Sequence, residues 1–210
     1  QVDDVVTTLL FNYVMLHIMG ALLFGPLQQP RSSWPRSPAI LISAEYPKLI
    51  ARSRFHLGIL LAVVAVLIIW FLNQKTVLGY QTKAVGVNQR AAFFGGINTG
   101  RVTLITAIIS GGLAAMAGFG EVCAIHYHLL MDISPGYGYS GIVIAMLGNL
   151  HPIGVLLSSL FFSIIIVGAQ TMSRMTGVPT YIAEVIQGMA LLVMLIALLL
   201  TEYKVKMVKQ

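Results

Sequence analysis

Long apolar runs alternate with polar intervals along this chain. The runs approach the ~20 residues that an α-helix needs to cross a bilayer. They cover residues 5–24, 57–72, 102–119, 153–169 and 181–200. A shorter apolar piece, residues 141–147, is too brief to span a membrane by itself. The pattern predicts an all-α, polytopic integral membrane protein with about five to six transmembrane helices.

Glycine and polar residues break the pattern after residue 147, where Gly148, Asn149, His151 and Pro152 follow in close succession. Irregular backbone at membrane depth is tolerated only where it is buried in protein or lines a cavity. Such discontinuous helices are typical of transport pathways. The predicted spans therefore include a broken or re-entrant segment, and residues 1–210 are expected to form a single transmembrane domain.

Composition supports the membrane assignment. Apolar residues make up 57% of the 210-residue chain and charged residues 10%, whereas a soluble domain carries about 25% charged residues. The net charge of +6 does not indicate a nucleic-acid partner. The basic residues lie in loops and in the C-terminal tail, where membrane proteins keep them. The protein is therefore expected to lie in the lipid bilayer.

The polar interval 75–101 lies between two apolar runs and is the chain's most informative stretch. Residues 82–95 read as a short amphipathic helix bracketed by Gly79 and Gly95. Two interpretations remain open: a basic connector lying on anionic lipid, or a docking helix for a cytoplasmic partner. The interval has four basic residues and no acid: Lys75, Lys83, Arg90 and Arg101.

The charge pattern leaves the orientation open. The 75–101 interval suits the cytoplasm under the positive-inside rule. The loop 25–55, which would then lie outside, also carries five basic residues, together with five of the eight prolines. Those prolines rule out a regular helix in this loop.

Motifs for catalysis are weak. The stretch 136–141 matches GxGxxG, but it lacks the preceding strand and the later acid of a dinucleotide site. The stretch 95–102 resembles a phosphate-binding loop, but Arg101 and Val102 replace its lysine and hydroxyl. We expect no catalytic residue and no ATP hydrolysis by this chain.

An acid, a thiol and two imidazoles follow the third apolar run closely enough to suggest a zinc site. Their spacing matches no standard zinc pattern, so no metal is assigned. With Asp132, these groups are expected to line the mouth or the path of a polar solute. The residues are Glu121, Cys123, His126 and His128.

Four stretches resemble one family in their order along the chain: residues 4–13 (DVVTTLLFNY), 78–92 (LGYQTKAVGVNQRAA), 134–148 (SPGYGYSGIVIAMLG) and 176–179 (TGVP). Together they resemble the permease subunits of bacterial ATP-binding-cassette importers of the simple-sugar/nucleoside group, within the wider branched-chain amino acid permease family. Members of the family are longer, so this chain is expected to be the C-terminal portion of such a subunit.

The resemblance implies that residues 83–94 form a coupling helix that docks on a cytoplasmic ATP-binding subunit. The C-terminus would then be cytoplasmic and the loop 25–55 outside, in a multi-pass protein of the bacterial inner membrane. A second permease subunit and an extracytoplasmic solute-binding protein would complete the importer. The chain itself would bind no cofactor, and the partner subunit would use ATP. The implied coupling residues are Lys83, Ala84, Val85, Gly86, Asn88, Arg90, Ala91 and Phe93.

By the same resemblance the solute is a nucleoside or a simple sugar. Polar residues in or beside membrane segments are the candidates for its path: Asn12, Glu121, His126, Asn149, His151 and Gln187. Two alternatives stay open. One is a self-contained ion- or proton-coupled transporter or channel that uses Glu184, Glu121 or His126, and the other is an intramembrane zinc hydrolase that uses Glu121 and the histidines.

Overall fold

The computed structural model describes residues 4–49, 55–134 and 136–176, together with isolated positions between 181 and 196. Within this part of the chain the structure is helical and contains no β-strand, which confirms the all-α assignment. A 3-10 turn covers Ile42–Ala44 and a π-helical turn covers Val122–His126. The α-helices are α1 (Asp4–Leu23), α2 (Leu57–Lys75), α3 (Val77–Val87), α4 (Gln89–Phe94), α5 (Thr99–Glu121), α6 (Tyr137–Leu147) and α7 (Pro152–Thr176).

In the part of the chain that the structure describes, four stretches of helix are long and apolar enough to cross a bilayer: Val6–Leu23, Leu57–Lys75, Thr99–His126 and Pro152–Thr176. The chain is therefore a multi-pass membrane protein, as predicted. The short helix α6 precedes α7 and forms the first half of the predicted broken segment. The predicted last span, 181–200, falls largely outside the described residues, so the total number of spans stays a prediction.

Helices α5 and α7 run further than predicted, into stretches where the sequence pattern predicts a polar interval and a turn. Helix α5 begins at Thr99 and continues through the π-helical turn to His126, because the amide of Val122 still bonds to the carbonyl of Gly118. Glu121 and His126 therefore lie on this helical stretch, whereas the sequence pattern predicts a polar interval there. Helix α7 continues to Thr176, so residues 171–176 of the predicted turn at 171–179 are helical.

The polar residues in this last part of α7 do not end the helix because they bond to their own backbone. The hydroxyl of Thr171 donates to the carbonyl of Val167 at 2.8 Å, and the hydroxyl of Thr176 donates to the carbonyl of Met172 at 2.8 Å. A polar group that is satisfied in this way remains compatible with a helix in lipid.

The predicted single helix over 82–95 is wrong. The segment is divided between α3 and α4 by Asn88, whose backbone is extended at φ −156°. Gly79 does not precede the helix but lies buried in the first turn of α3. A Cβ at Gly79 would lie 2.7 Å from the Cα of Asn73, so glycine lets α3 approach the end of α2 closely.

The chain divides into two compact units, one comprising Gln1–Ala65 and Phe71–Pro135 and the other Val66–Trp70 and Gly136–Gln210. Most apolar side chains on the candidate spans are exposed, and α2 has no fully buried residue. This distribution suits helices that face lipid or neighbouring protein. The assignment of residues 1–210 to one transmembrane domain stays a prediction.

In the first unit, the proline-rich loop is irregular, as predicted, and it is tied to the stretch that follows α5. The amide of Ser37 donates to the carbonyl of Leu129 at 3.1 Å, and the amide of Ile40 donates to the carbonyl of Tyr127 at 3.0 Å. The hydroxyl of Ser37 accepts a bond from the amide of Leu129 at 2.9 Å. These long-range bonds satisfy backbone groups that neither segment satisfies by itself.

In the second unit, a tight turn separates α6 from α7, where the sequence predicts the break. A Cβ at Gly148 would lie 2.7 Å from the carbonyl carbon of Gly154, and one at Gly154 would lie 3.0 Å from that of Gly148. The backbones of the two glycines are therefore in direct contact. Asn149 and Leu150 occupy the turn at positive φ angles of 52° and 54°.

Candidate functional site

Helix α4, the C-terminal half of the predicted coupling segment, has only six residues and is defined by its two ends. At its start, the side-chain oxygen of Asn88 accepts a bond from the amide of Ala91 at 3.0 Å. At its end, Gly96 takes a left-handed φ of 82°, and the amide of Ile97 donates to the carbonyl of Ala92 at 3.0 Å. This is a Schellman ending. Such caps matter because isolated helices of this length are unstable.

The outer surface of α4 is apolar and basic. Phe93 and Phe94 are 66% and 87% exposed, and their rings contact edge to face with centroids 6.2 Å apart. Arg90 is also exposed, whereas Ala92 is buried on the opposite side. Exposed aromatic rings on a basic helix are typical of a surface that contacts lipid headgroups or a protein partner.

The other predicted coupling residues differ in exposure. Lys83, Gly86, Asn88 and Ala91 are exposed, while Ala84 and Val85 are half-buried. Val85 lines a shallow groove between α3 and α5, so it supports the packing of α3 on α5 and contributes little exposed surface. The segment's outward-facing apolar area therefore belongs mainly to α4.

The junction between α4 and α5 contains a second cap, at the start of α5. The side-chain oxygen of Asn98 accepts a bond from the amide of Arg101 at 3.0 Å and so defines the start of α5. Val102, one turn further on, is 4% exposed and belongs to the core of this region. Only four residues separate the two helices, so the position of α4 is closely tied to that of α5.

A cleft of about 410 Å³ lies between α2 and α5, at the end of each helix that is distant from α4. Its walls are mostly apolar, and Ile59, Ala62 and Met116 are among them. Three side chains with polar groups also line it: Tyr46, His56 and Glu121. The sequence predicts Glu121 as a path residue but does not indicate Tyr46 or His56.

The aromatic residues of the cleft are held in place by one another and by the backbone. The Tyr46 ring stacks on His56 with centroids 6.2 Å apart and meets the edge of Phe119 at 5.7 Å. The amide of Tyr46 donates to the carbonyl of Cys123 at 3.0 Å. His56 caps α2, because its Nδ1 accepts a bond from the amide of Gly58 at 3.1 Å.

Glu121, the acidic residue of the cleft, lies close to a histidine side chain. Oε2 of Glu121 lies 3.6 Å from Nε2 of His126, within the distance of an ion pair when the imidazole is protonated. His126 is in the π-helical turn, an element that occurs frequently at functional sites. The turn shifts the register of the helix between these residues and ends at Tyr127, which has a left-handed φ of 57°.

Of the predicted path residues that the structure describes, only Glu121 and His126 are paired through their side chains, and only Glu121 lines the cleft. Asn12 is exposed on α1, while Asn149 and His151 are exposed in the turn before α7. Gln187 lies outside the described residues, and the path assignment stays a prediction. Among the residues that the structure describes, no three His, Cys, Asp or Glu side chains are grouped to hold a metal ion.

A protein family described as the permease component of branched-chain amino acid transport systems matches residues 1–195. The glucose ABC transporter permease protein TsgB13 of Haloferax volcanii is 30% identical over 98% of this chain and 57% of its own length. The guanosine ABC transporter permease protein NupP of Bacillus subtilis is 29% identical over 91% of this chain and 56% of its own.

The nucleoside ABC transporter permease protein NupB of Lactococcus lactis is 28% identical, over 88% of this chain and 53% of its own length. The chain thus spans slightly more than half the length of these curated relatives. No solved structure matches it at a significant level.

Proposed function

The chain belongs to the permease family of branched-chain amino acid transport systems, and from this premise we propose that it is part of the transmembrane subunit of an ATP-driven importer. The relatives are named as permeases for glucose, guanosine and nucleosides. A nucleoside or a simple sugar is therefore the proposed solute. In this role the chain moves a solute and carries no ATPase site of its own.

The exposed Phe93–Phe94 pair beside Arg90 is the observation that supports docking of an ATPase through the 83–94 segment. Buried aromatic and arginine side chains provide most of the binding energy in protein interfaces. Here two rings and a guanidinium stand on a helix whose two ends are capped, so little conformational entropy is lost on binding. A groove with apolar walls and an acidic rim would complement this surface.

The remaining partners follow from the same proposal. A second permease subunit completes the membrane portion, and an extracytoplasmic solute-binding protein delivers the solute. ATP is bound by the partner subunit alone. The 75–101 loop then lies in the cytoplasm of a bacterial cell, and the proline-rich loop lies on the outer side.

Copurification of the full-length protein with its ATPase tests the proposal. Phe93→Ala removes a central ring of the proposed interface, a change that costs about 2 kcal/mol or more at such positions, which is roughly a 30-fold loss of affinity. Arg90→Glu is expected to weaken the complex through like-charge repulsion with the acidic groove. Solute-dependent ATP hydrolysis should fall in parallel in both variants.

Ile42→Ala is the matched control. Ile42 is 85% exposed and therefore also an exposed apolar residue, but it lies in the proline-rich loop on the proposed outer side. This variant should retain the ATPase in full. Complete retention of the ATPase by both Phe93→Ala and Arg90→Glu would refute docking through α4.

A further inference from the structure

The cleft between α2 and α5 offers a donor and an acceptor for hydrogen bonds. Because Nδ1 of His56 accepts the amide proton of Gly58 at 3.1 Å, the proton of the neutral ring is on Nε2, which is therefore a donor. The carboxylate of Glu121 is an acceptor. The cleft thus combines both hydrogen-bonding roles with the aromatic wall formed by Tyr46 and His56.

The rest of the cleft is apolar. Among the described residues that line it, three have polar side chains; the others are glycine, alanine, leucine, isoleucine or methionine. Its volume of about 410 Å³ falls within the ~300–1,000 Å³ of small-molecule sites, which are mostly apolar with a few placed polar groups. A cleft with such walls should bind one of the two proposed solute classes, nucleosides and simple sugars, better than the other.

A hexose suits this cleft poorly. Its hydroxyl groups point outward around the whole ring, so in any orientation several of them would meet the apolar walls. Each buried hydroxyl without a partner lowers affinity by about tenfold or more. A nucleoside also carries ribose hydroxyls, but its base has two apolar faces, with the donors and acceptors on the edges. The faces of the base can therefore contact the walls while one edge meets Glu121 and His56 and the ribose lies at the open side of the cleft.

The acid is also positioned. Glu121 is the last residue of α5, and its Oε2 lies 3.6 Å from Nε2 of His126. The π-helical turn brings this imidazole to the carboxylate. His126 thus helps to fix the position of the Glu121 side chain, and Glu121 and His56 are the polar groups that a ligand in the cleft would meet.

We propose that this cleft is a solute site of the permease and that it binds a nucleoside in preference to a hexose. The inference rests on the proposed function. It adds Tyr46 and His56 to the predicted path and narrows the solute from nucleoside or sugar to nucleoside.

The test is calorimetric titration of the full-length permease–ATPase complex in lipid nanodiscs without a solute-binding protein, because that protein would mask the permease's own selectivity. Guanosine and glucose are the ligands. Guanosine is expected to bind at least tenfold more tightly than glucose. Glu121→Gln is expected to weaken guanosine binding at least tenfold, since it removes a charged acceptor.

Two further variants make the test specific. His56→Asn retains an oxygen that can cap α2 but lacks the Nε2 donor, so it should weaken guanosine binding without lowering thermal stability. Glu45→Gln makes the same chemical change as Glu121→Gln in a half-buried residue that does not line the cleft. It should bind guanosine like the unmodified protein.

Glucose binding as tight as guanosine binding would overturn the inference. Unchanged guanosine affinity in both Glu121→Gln and His56→Asn, or no binding of either ligand, would overturn it as well. The same preparations separate this failure from a failure of the proposed function. If the ATPase copurifies, only the solute site is refuted; if the permease has no ATPase partner, both proposals fall.

Discussion

Gly79→Ala provides a sharp test of the packing between α2 and α3, because helix propensity and tertiary structure predict opposite outcomes. In a helix, replacing glycine by alanine stabilises by up to about 1 kcal/mol. In this structure, a Cβ at Gly79 would lie 2.7 Å from both the Cα and the carbonyl oxygen of Asn73, and closer still to the carbonyl oxygen of Leu72. These are backbone atoms, so no rotamer change relieves the clash.

The magnitude follows from these contacts. Overpacking costs about 1–3 kcal/mol, and the rigid neighbours of Gly79 favour the upper end of that range. After the gain in propensity is subtracted, a net loss of about 2 kcal/mol remains. For a chain of this size, each kcal/mol shifts the unfolding midpoint by about 2–4 °C. Gly79→Ala should therefore lower the midpoint by about 4–8 °C.

The assay is thermal unfolding of the purified full-length protein in mild detergent. Gly86→Ala is the matched control in the same helix, because a Cβ added there would have no neighbouring atom within 4 Å and only the propensity gain applies. Its midpoint should stay level or rise by about 2–4 °C, the shift that 1 kcal/mol produces. A midpoint for Gly79→Ala equal to or above that of the unmodified protein would show that α3 does not approach α2 in this way.

Two further predictions concern the caps that define α4 and α5, both measured by the same unfolding assay. Gly96→Ala forces a side chain into the left-handed region, at φ 82°, and should lower the free energy of unfolding by about 1–2 kcal/mol. Gly95→Ala, at φ −76°, should change this free energy little. Equal unfolding midpoints for the two variants would contradict the Schellman ending. Asn98→Ala removes the hydrogen bond to the Arg101 amide and should lower the free energy of unfolding by about 1 kcal/mol. Asn98→Asp retains an oxygen that can accept this bond and should have the stability of the unmodified protein. A loss of stability in Asn98→Asp as large as in Asn98→Ala would show that the cap does not cause it.

The spans were predictable because lipid imposes a simple requirement. A chain that crosses a bilayer satisfies its backbone groups internally, so a long apolar run such as the one that forms α2 indicates a helix without further information. The ends were harder to predict. Polar residues at 171–176 indicated a stop, but Thr171 and Thr176 bond to carbonyls one turn earlier and let α7 continue.

The subdivision of the coupling segment depends on one residue with two roles. An asparagine within an amphipathic stretch does not by itself indicate a break, yet Asn88 ends α3 and caps α4 with its side chain. Gly95 correctly predicted a helix end. Residues with strong local preferences were thus informative, and residues that act through a neighbouring helix were not.

The cleft could not be predicted from local sequence. Tyr46 lies in the proline-rich loop, far along the chain from Glu121. The two line the same cleft because the loop bonds to the stretch after α5, as at Tyr46 and Cys123. No periodicity in the sequence encodes such a pairing. The π-helical turn gives no compositional signal either, although it sets the distance between Glu121 and His126.

The two proposed sites lie at opposite ends of the same pair of helices. Helix α2 begins beside the cleft, which its second residue Gly58 lines, and ends where α3 packs against it through Gly79. Helix α5 begins next to α4 and ends at Glu121. A helix of 19 residues is about 28 Å long, close to the thickness of the bilayer's apolar core. A force on α4 from a docked ATPase would therefore reach α5 through the capped junction at Asn98. It would reach α2 through the contact at Gly79, and both helices would carry it to the walls of the cleft. In the proposed importer, the close contact at Gly79 and the two caps would keep this connection between the two sites rigid. ATP hydrolysis on one side of the membrane would thereby be coupled to solute release on the other.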